Sequence, residues 1–210
     1  MRICCIADTQ LDQKNTEKYL NRFKKYIENS DCIIHLGDGI ENAMKFLSRY
    51  ENVIYIKGNH DNKDSKYKNH LNLTIHDLHV LFLHGNRTNK ITEQLDIWKN
   101  KLRFKIGKQV DMSSYYQWLT SRYNVPGIVV YGHIHIPRIE VTNGTCYFCP
   151  GGITEKRLLF GENISIGNIL VNFEEKVAKI KVISYSNITK KVSITAQKEF
   201  LWDKKPKQLI

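Results

Sequence analysis

Residues 127–138 read GIVVYGHIHIPR. The apolar run from Ile128 to Tyr131 has the length and β-branched content of a buried strand, and Gly132 ends it. Two imidazoles follow, His133 and His135, one residue apart. In open α/β sheets, ligands bind at the carboxyl ends of the strands, so polar groups placed there suggest chemistry as well as packing.

Working outward, other apolar runs end the same way. RICCIA is followed by Asp8, Thr9 and Gln10, and DCIIHL by Gly37 and Asp38. NVIYIK leads into Gly58, Asn59, His60 and Asp61, and LTIHDLHVLFL into His84 and Gly85. Between the early runs, Leu20, Phe23 and Ile27 have helical spacing within residues 12–29, and ENAMKFLSRY reads as a second helix. Strands alternating with helices predict parallel β-α-β units. From residue 73 the pattern changes to a hairpin turning near Asp77. Residues 88–123 read as helical and polar, with Leu95, Trp98, Leu102 and Ile106 as an apolar stripe. That stripe is expected to pack on the sheet or on a partner chain. Beyond His135, strands are separated by Asn-Gly, Gly-Gly and Glu-Glu turns. The final QKEFLWDKKPKQLI reads as a basic, loosely attached tail.

Carboxylate oxygen, amide oxygen and imidazole nitrogen are hard to borderline donors, which suit Mn²⁺, Fe²⁺, Zn²⁺ or Ni²⁺. None of the five cysteines falls in these turns. Cys4, Cys5 and Cys32 lie in apolar runs, where cysteine packs as a small hydrophobe. Cys146 and Cys149 sit three apart on a predicted strand, so their thiols should face opposite sides and stay unbridged.

Taken in order, these segments resemble the calcineurin-like metallophosphoesterases. That family's pattern is D-x-H, G-D, G-N-H-D or G-N-H-E, H-G and G-H-x-H. Here it is Asp8-Thr9-Gln10, Gly37-Asp38, Gly58-Asn59-His60-Asp61, His84-Gly85 and Gly132-His133-Ile134-His135. The family's small prokaryotic phosphodiesterases are similar in size and carry an Asn-Pro-Gly turn, matched here by Cys149-Pro150-Gly151-Gly152. The resemblance covers residues 1–184. It implies a four-layer α-β-β-α sandwich of two mixed β-sheets flanked by helices. It also implies two divalent ions, Mn²⁺ foremost with Ni²⁺, Fe²⁺ or Zn²⁺ as alternatives, and hydrolysis of phosphodiesters by a hydroxide held between them.

Carried over by position, Asp38 would bridge the ions, Asp8 and His135 would hold the first, and Asn59, His84 and His133 the second. His60 would be the catalytic residue, protonating the leaving alkoxide. Asp61 would orient that imidazole or act as a plain helix cap. Gln10 departs from the pattern, standing where the family has histidine. Three outcomes are open: Gln10 ligates through oxygen and favours a harder ion, the first site is weak, or the site has decayed. Retained His60 argues against full decay.

The expected organisation is a metallophosphoesterase domain over 1–184, with a cap-like helical insertion at about 88–125, and a basic C-terminal extension over 185–210. The 210 residues carry a formal net charge of +11. That suits a phosphorylated small-molecule or nucleotide-like substrate, is compatible with nucleic acid, and leaves oligomerisation open. No apolar run is long enough to span a bilayer and no signal peptide is evident, so the expected location is cytoplasmic, without membrane association. Two alternatives stand beside the phosphodiesterase. One is a non-catalytic scaffold like the retromer subunit that resembles this family. The other is a nuclease like the family's DNA-repair branch. Arg87 is read as a solvated arginine, with a phosphate contact as the alternative.

Overall fold

A computed structural model describes residues 1–63, 66–123, 127–154 and 163–202. The N-terminal half is the predicted β-α-β series: β1 (Arg2–Ile6), α1 (Gln13–Arg22), α2 (Lys24–Glu28), β2 (Cys32–His35), α3 (Ile40–Leu47) and β3 (Val53–Tyr55). The stretch expected as one helix over 12–29 breaks at Phe23, which closes α1 and opens α2. Asp12 starts α1 by accepting the Asn15 amide at 2.9 Å. The hairpin β4 (His70–Ile75) and β5 (Leu78–Leu83) follows, then α4 (Lys90–Lys105) and α5 (Ser113–Tyr123). The chain closes with β6 (Ile128–Tyr131), β7 (Arg138–Thr142), β8 (Thr145–Cys149), β9 (Asn163–Asn172), β10 (Val177–Ser186) and β11 (Val192–Leu201).

Both sheets are mixed. The six-stranded sheet has the order β11-β10-β9-β1-β2-β3, and the five-stranded sheet β4-β5-β6-β8-β7. In the first, β1, β2 and β3 are parallel while β9 pairs antiparallel with β1. In the second, β5, β6 and β8 are parallel. Period-two alternation builds the layers. Ile3 and Cys5 face the other sheet, against Phe82, Val130 and Phe148. Cys4 and Ile6 face the helices, against Leu20, Phe23 and Phe46. On the far side, Leu81, Tyr131 and Tyr147 pack on Tyr115, Tyr116 and Leu119 of α5. The expected four-layer α-β-β-α sandwich is therefore the observed one. Each large apolar side chain buried in these layers contributes roughly 1.5–3 kcal/mol.

Cys146 packs between the sheets and Cys149 against the α5 layer, on opposite faces as expected. All five cysteines are free. Burial pushes the thiols of Cys4 and Cys146 up to about 12, so they are poor metal ligands.

The C-terminal reading needs correction. Residues 185 and 186 end β10, and Val192–Leu201 is the edge strand β11, paired along β10 from Val177↔Leu201 to Tyr185↔Val192. Phe200 is buried in the inter-sheet core and Trp202 donates to Asp77 Oδ1 at 2.9 Å. Lys198 and Glu199 are exposed on this sheet edge, where charge discourages further pairing, so Val192–Leu201 is not a loose tail. Residues 203–210 lie outside the described residues. No helix among the described residues is long and apolar enough to cross a membrane.

Candidate metal centre

The ends of the parallel strands are tied to one another before any ligand is considered. The Asp8 amide donates to the Gly37 carbonyl at 3.0 Å, Thr9 to Asp38 at 2.9 Å, and Gly132 to His84 at 3.0 Å. A side chain on Gly37 would strike the backbone of Gly58, so the turns bearing Asp38 and Asn59 approach this closely only because glycine is there. Asp8, Asp38, His133 and His135 all have left-handed backbones, with φ of 53°, 61°, 67° and 55°. Each such non-glycine residue costs roughly 1–3 kcal/mol, and such strain concentrates at functional sites.

Around Asp38, acceptors converge. His84 Nε2 lies 3.4 Å from Asp38 Oδ2 and 3.0 Å from Asn59 Oδ1. His84 Nδ1 is 2.9 Å from the Leu36 carbonyl, which can only accept, so Nδ1 carries the proton. The Nε2 lone pair of the neutral ring then points at two oxygens, an arrangement that calls for a cation. Ligand atoms of Asp38, His84 and His133 all lie within 4.8 Å of one another. Without a metal, a proton takes that place. Burial opposes charge on His84, but the Asp38 hydrogen bond and the Asp8 and Asp38 charges outweigh it and raise the pKa. Burial likewise opposes the Asp38 carboxylate, yet the His84 hydrogen bond and charge hold it to about 2.

The second cluster forms at Asp8. His135 Nε2 lies 3.2 Å from Asp8 Oδ1. That oxygen is buried and makes no hydrogen bond. Its partner, Oδ2, accepts the His133 amide at 3.0 Å. A buried carboxylate oxygen whose partner is an imidazole outside hydrogen-bond geometry is poorly satisfied, and a bound cation would satisfy it better. The donors grouped at Asp38, His84 and His133 therefore fit a divalent ion, and Asp8 Oδ1 offers a further donor beside His135.

Gln10 reaches the same carboxylate. Its amide nitrogen donates to Asp38 Oδ2 at 2.9 Å, so the side chain presents a donor to the centre. The amide oxygen could ligate only after a flip, and it is the weaker donor. Metal titration of the apo protein is expected to give two unequal steps, with the Asp8 side the weaker. Gln10→His should tighten that step by roughly 10–100-fold. Two equally tight steps in the wild type would overturn this division. His35 does not replace the missing histidine: its Nδ1 takes the Gly37 amide at 3.2 Å and its Nε2 faces Thr9 Oγ1 at 2.9 Å. Burial leaves it neutral, with its pKa lowered to about 4.

Three neighbours differ from, or add to, the sequence reading. Asp61 does not orient His60. Its Oδ2 accepts the amides of Asp38 and Gly58, both at 2.8 Å, and its Oδ1 those of Gly39 and Ile40 at 2.9 and 3.1 Å. It thus caps α3 and fixes two turns. Arg87 is buried and not solvated, with its guanidinium 2.8 Å from Asp96. Glu93 of α4 was not foreseen; it pairs directly with His133 Nε2. A single glutamate in a polar helix gives no sequence signal of that contact. His60 remains free on the cleft. Its side chain is 70% exposed, with Nε2 4.0 Å from Asp38 Oδ2. Gln10, Asn59, Lys90, Gln94 and His133 line the same cleft.

Two mixed sheets between helices, with acids, an amide and imidazoles gathered at the strand ends, are the architecture expected of the calcineurin-like class. The sequence profile of the calcineurin-like phosphoesterase superfamily domain matches residues 1–170, and the chain belongs to that family. No functionally curated protein matches it by sequence. Solved structures share its fold at low identity. Vps29 of Entamoeba histolytica complexed with Zn²⁺ has 15% identity and a TM-score of 0.67, over 95% of this chain and 99% of that one. The Escherichia coli phosphoesterase Yfce has 15% identity and a TM-score of 0.58, over 94% and 98%. An archaeal phosphodiesterase has 19% identity and a TM-score of 0.53, over 87% and 99%.

Proposed function

We propose that this protein is a metal-dependent phosphoesterase that hydrolyses phosphodiesters of a small-molecule or nucleotide-like substrate. The observation that carries the reading is the convergence of Asp38, Asn59 and His84 on one point, with His60 exposed on the cleft beside it. Asp38, Asn59, His84 and His133 would hold one divalent ion, and Asp8, His135 and Asp38 the other, Mn²⁺ being the first choice. Bound divalent ions supply Lewis-acid polarisation of the phosphoryl group and lower the pKa of water. The chain's own residues do the rest. Lys90 and the positive net charge favour an anionic phosphate in the cleft. The Nε2 of His60 faces the centre and donates a proton to the departing alkoxide oxygen. The five free cysteines agree with a reducing cytoplasmic setting.

A second reading, a metal-site scaffold, is favoured by one observation: Gln10 offers the centre a donor where the family pattern has a ligating histidine. His60 separates the two, because a scaffold has no chemical use for an exposed imidazole at the centre. Purified protein is expected to hydrolyse an aryl phosphodiester, to lose activity with a chelator, and to regain it with Mn²⁺. Protein that takes up metal yet turns over neither diesters nor monoesters would establish the scaffold instead.

A further inference from the structure

Helix α4 turns its apolar side away from the protein. Ile91, Leu95, Trp98, Leu102 and Ile106 follow at intervals of four, three, four and four residues. They are between 48% and 73% exposed. At about 100° per residue they form a seam roughly 80° wide. Of the two packings expected for the stripe, on the sheet or on a partner chain, the first is not seen, because largely polar groups occupy the inward face. Glu93 meets His133, Asp96 meets Arg87 and Ser114, and Asn100 exchanges two hydrogen bonds with the Asp111 backbone. This reverses the usual arrangement of a surface helix.

Charge identifies what would cover the seam. Lys90, Lys99, Lys101 and Lys105 are exposed along α4. The helix has two acids, Glu93 and Asp96, and both are turned inward and paired. A second copy of the chain would bring lysines against lysines without counter-charge. A lipid surface suits a broader apolar face than this narrow one. The four-, three- and four-residue spacing from Ile91 to Leu102, with Lys99 and Lys101 at the seam's edges, is the pattern that meets one helix carrying glutamates at its own flanking positions. We infer that the outer face of α4 is the docking site for an acidic amphipathic helix of a partner protein.

The test uses a synthetic helix about three heptads long, with Leu at positions a and d and Glu at e and g. Calorimetry on the full chain is expected to show a Kd on the order of micromolar that weakens with added salt. Leu95→Asp and Trp98→Ala, each checked for an unchanged melting curve, should weaken binding at least about tenfold. The same peptide with Lys for Glu should not bind. Absence of binding, equal binding of the two peptides, or full binding by Leu95→Asp would overturn the inference. So would a dimer or an attachment to anionic vesicles that Leu95→Asp abolishes, which would assign the seam to a second copy or to lipid.

Discussion

Asp61→Ala is expected to lose about 2–4 kcal/mol of stability and the metal centre with it, although Asp61 is assigned no ligand role. One carboxylate receives the amides of Asp38, Gly39, Ile40 and Gly58. A donor stripped of its partner and kept from water costs roughly 1–3 kcal/mol, and Asp61 is only partly exposed, so water restores a share. The helix α3 also loses the negative charge at its start, where Gly39 supplies no side-chain cap. Asp38 follows Gly37 and Asn59 follows Gly58, so both turns that carry ligands would loosen together. Asp61→Asn should rescue little, since its NH₂ would face backbone donors. Urea unfolding and calorimetric metal titration read the two effects. A wild-type midpoint with both metal steps intact would show that Asp61 is dispensable.

His60→Ala should leave fold and metal content unchanged and lower turnover by roughly 10²–10⁴-fold. Its imidazole is exposed, so truncation opens no cavity. Its amide, which donates to Asp38 Oδ1 at 2.8 Å, survives in alanine. Turnover and metal content must be measured on the same preparation. Loss of a metal equivalent would make His60 a ligand, and unchanged turnover would remove it from the chemistry.

Much of the centre was legible because short continuous apolar runs announce where buried strands stop, and the residue after each stop is read directly. Asp8, Asp38, His84 and His133 were found that way, and the structure draws them together. Residues acting over distance were not. Glu93 meets His133 only through the docking of α4, which no local pattern encodes. The α4 stripe was visible, but periodicity reports that a helix has an apolar side, not which way the side points. Asp61 sits in a motif that suggests chemistry, yet it spends all four contacts on backbone amides. β11 was missed because its exposed residues are mostly polar and QKEFL runs straight into the basic DKKPK, so the segment resembles a solvated tail.

The left-handed residues of the centre limit how its chemistry can drift. Asp, Asn and His tolerate that backbone better than most side chains, and β-branched or bulky ones tolerate it poorly. At Asp8, Asp38, His133 and His135, the conformation itself filters substitutions before any ligand is tested. Gln10 has no such backbone. The chain's departure from the family pattern thus falls where the fold permits free choice, and a lineage changing its metal preference would find its cheapest route there.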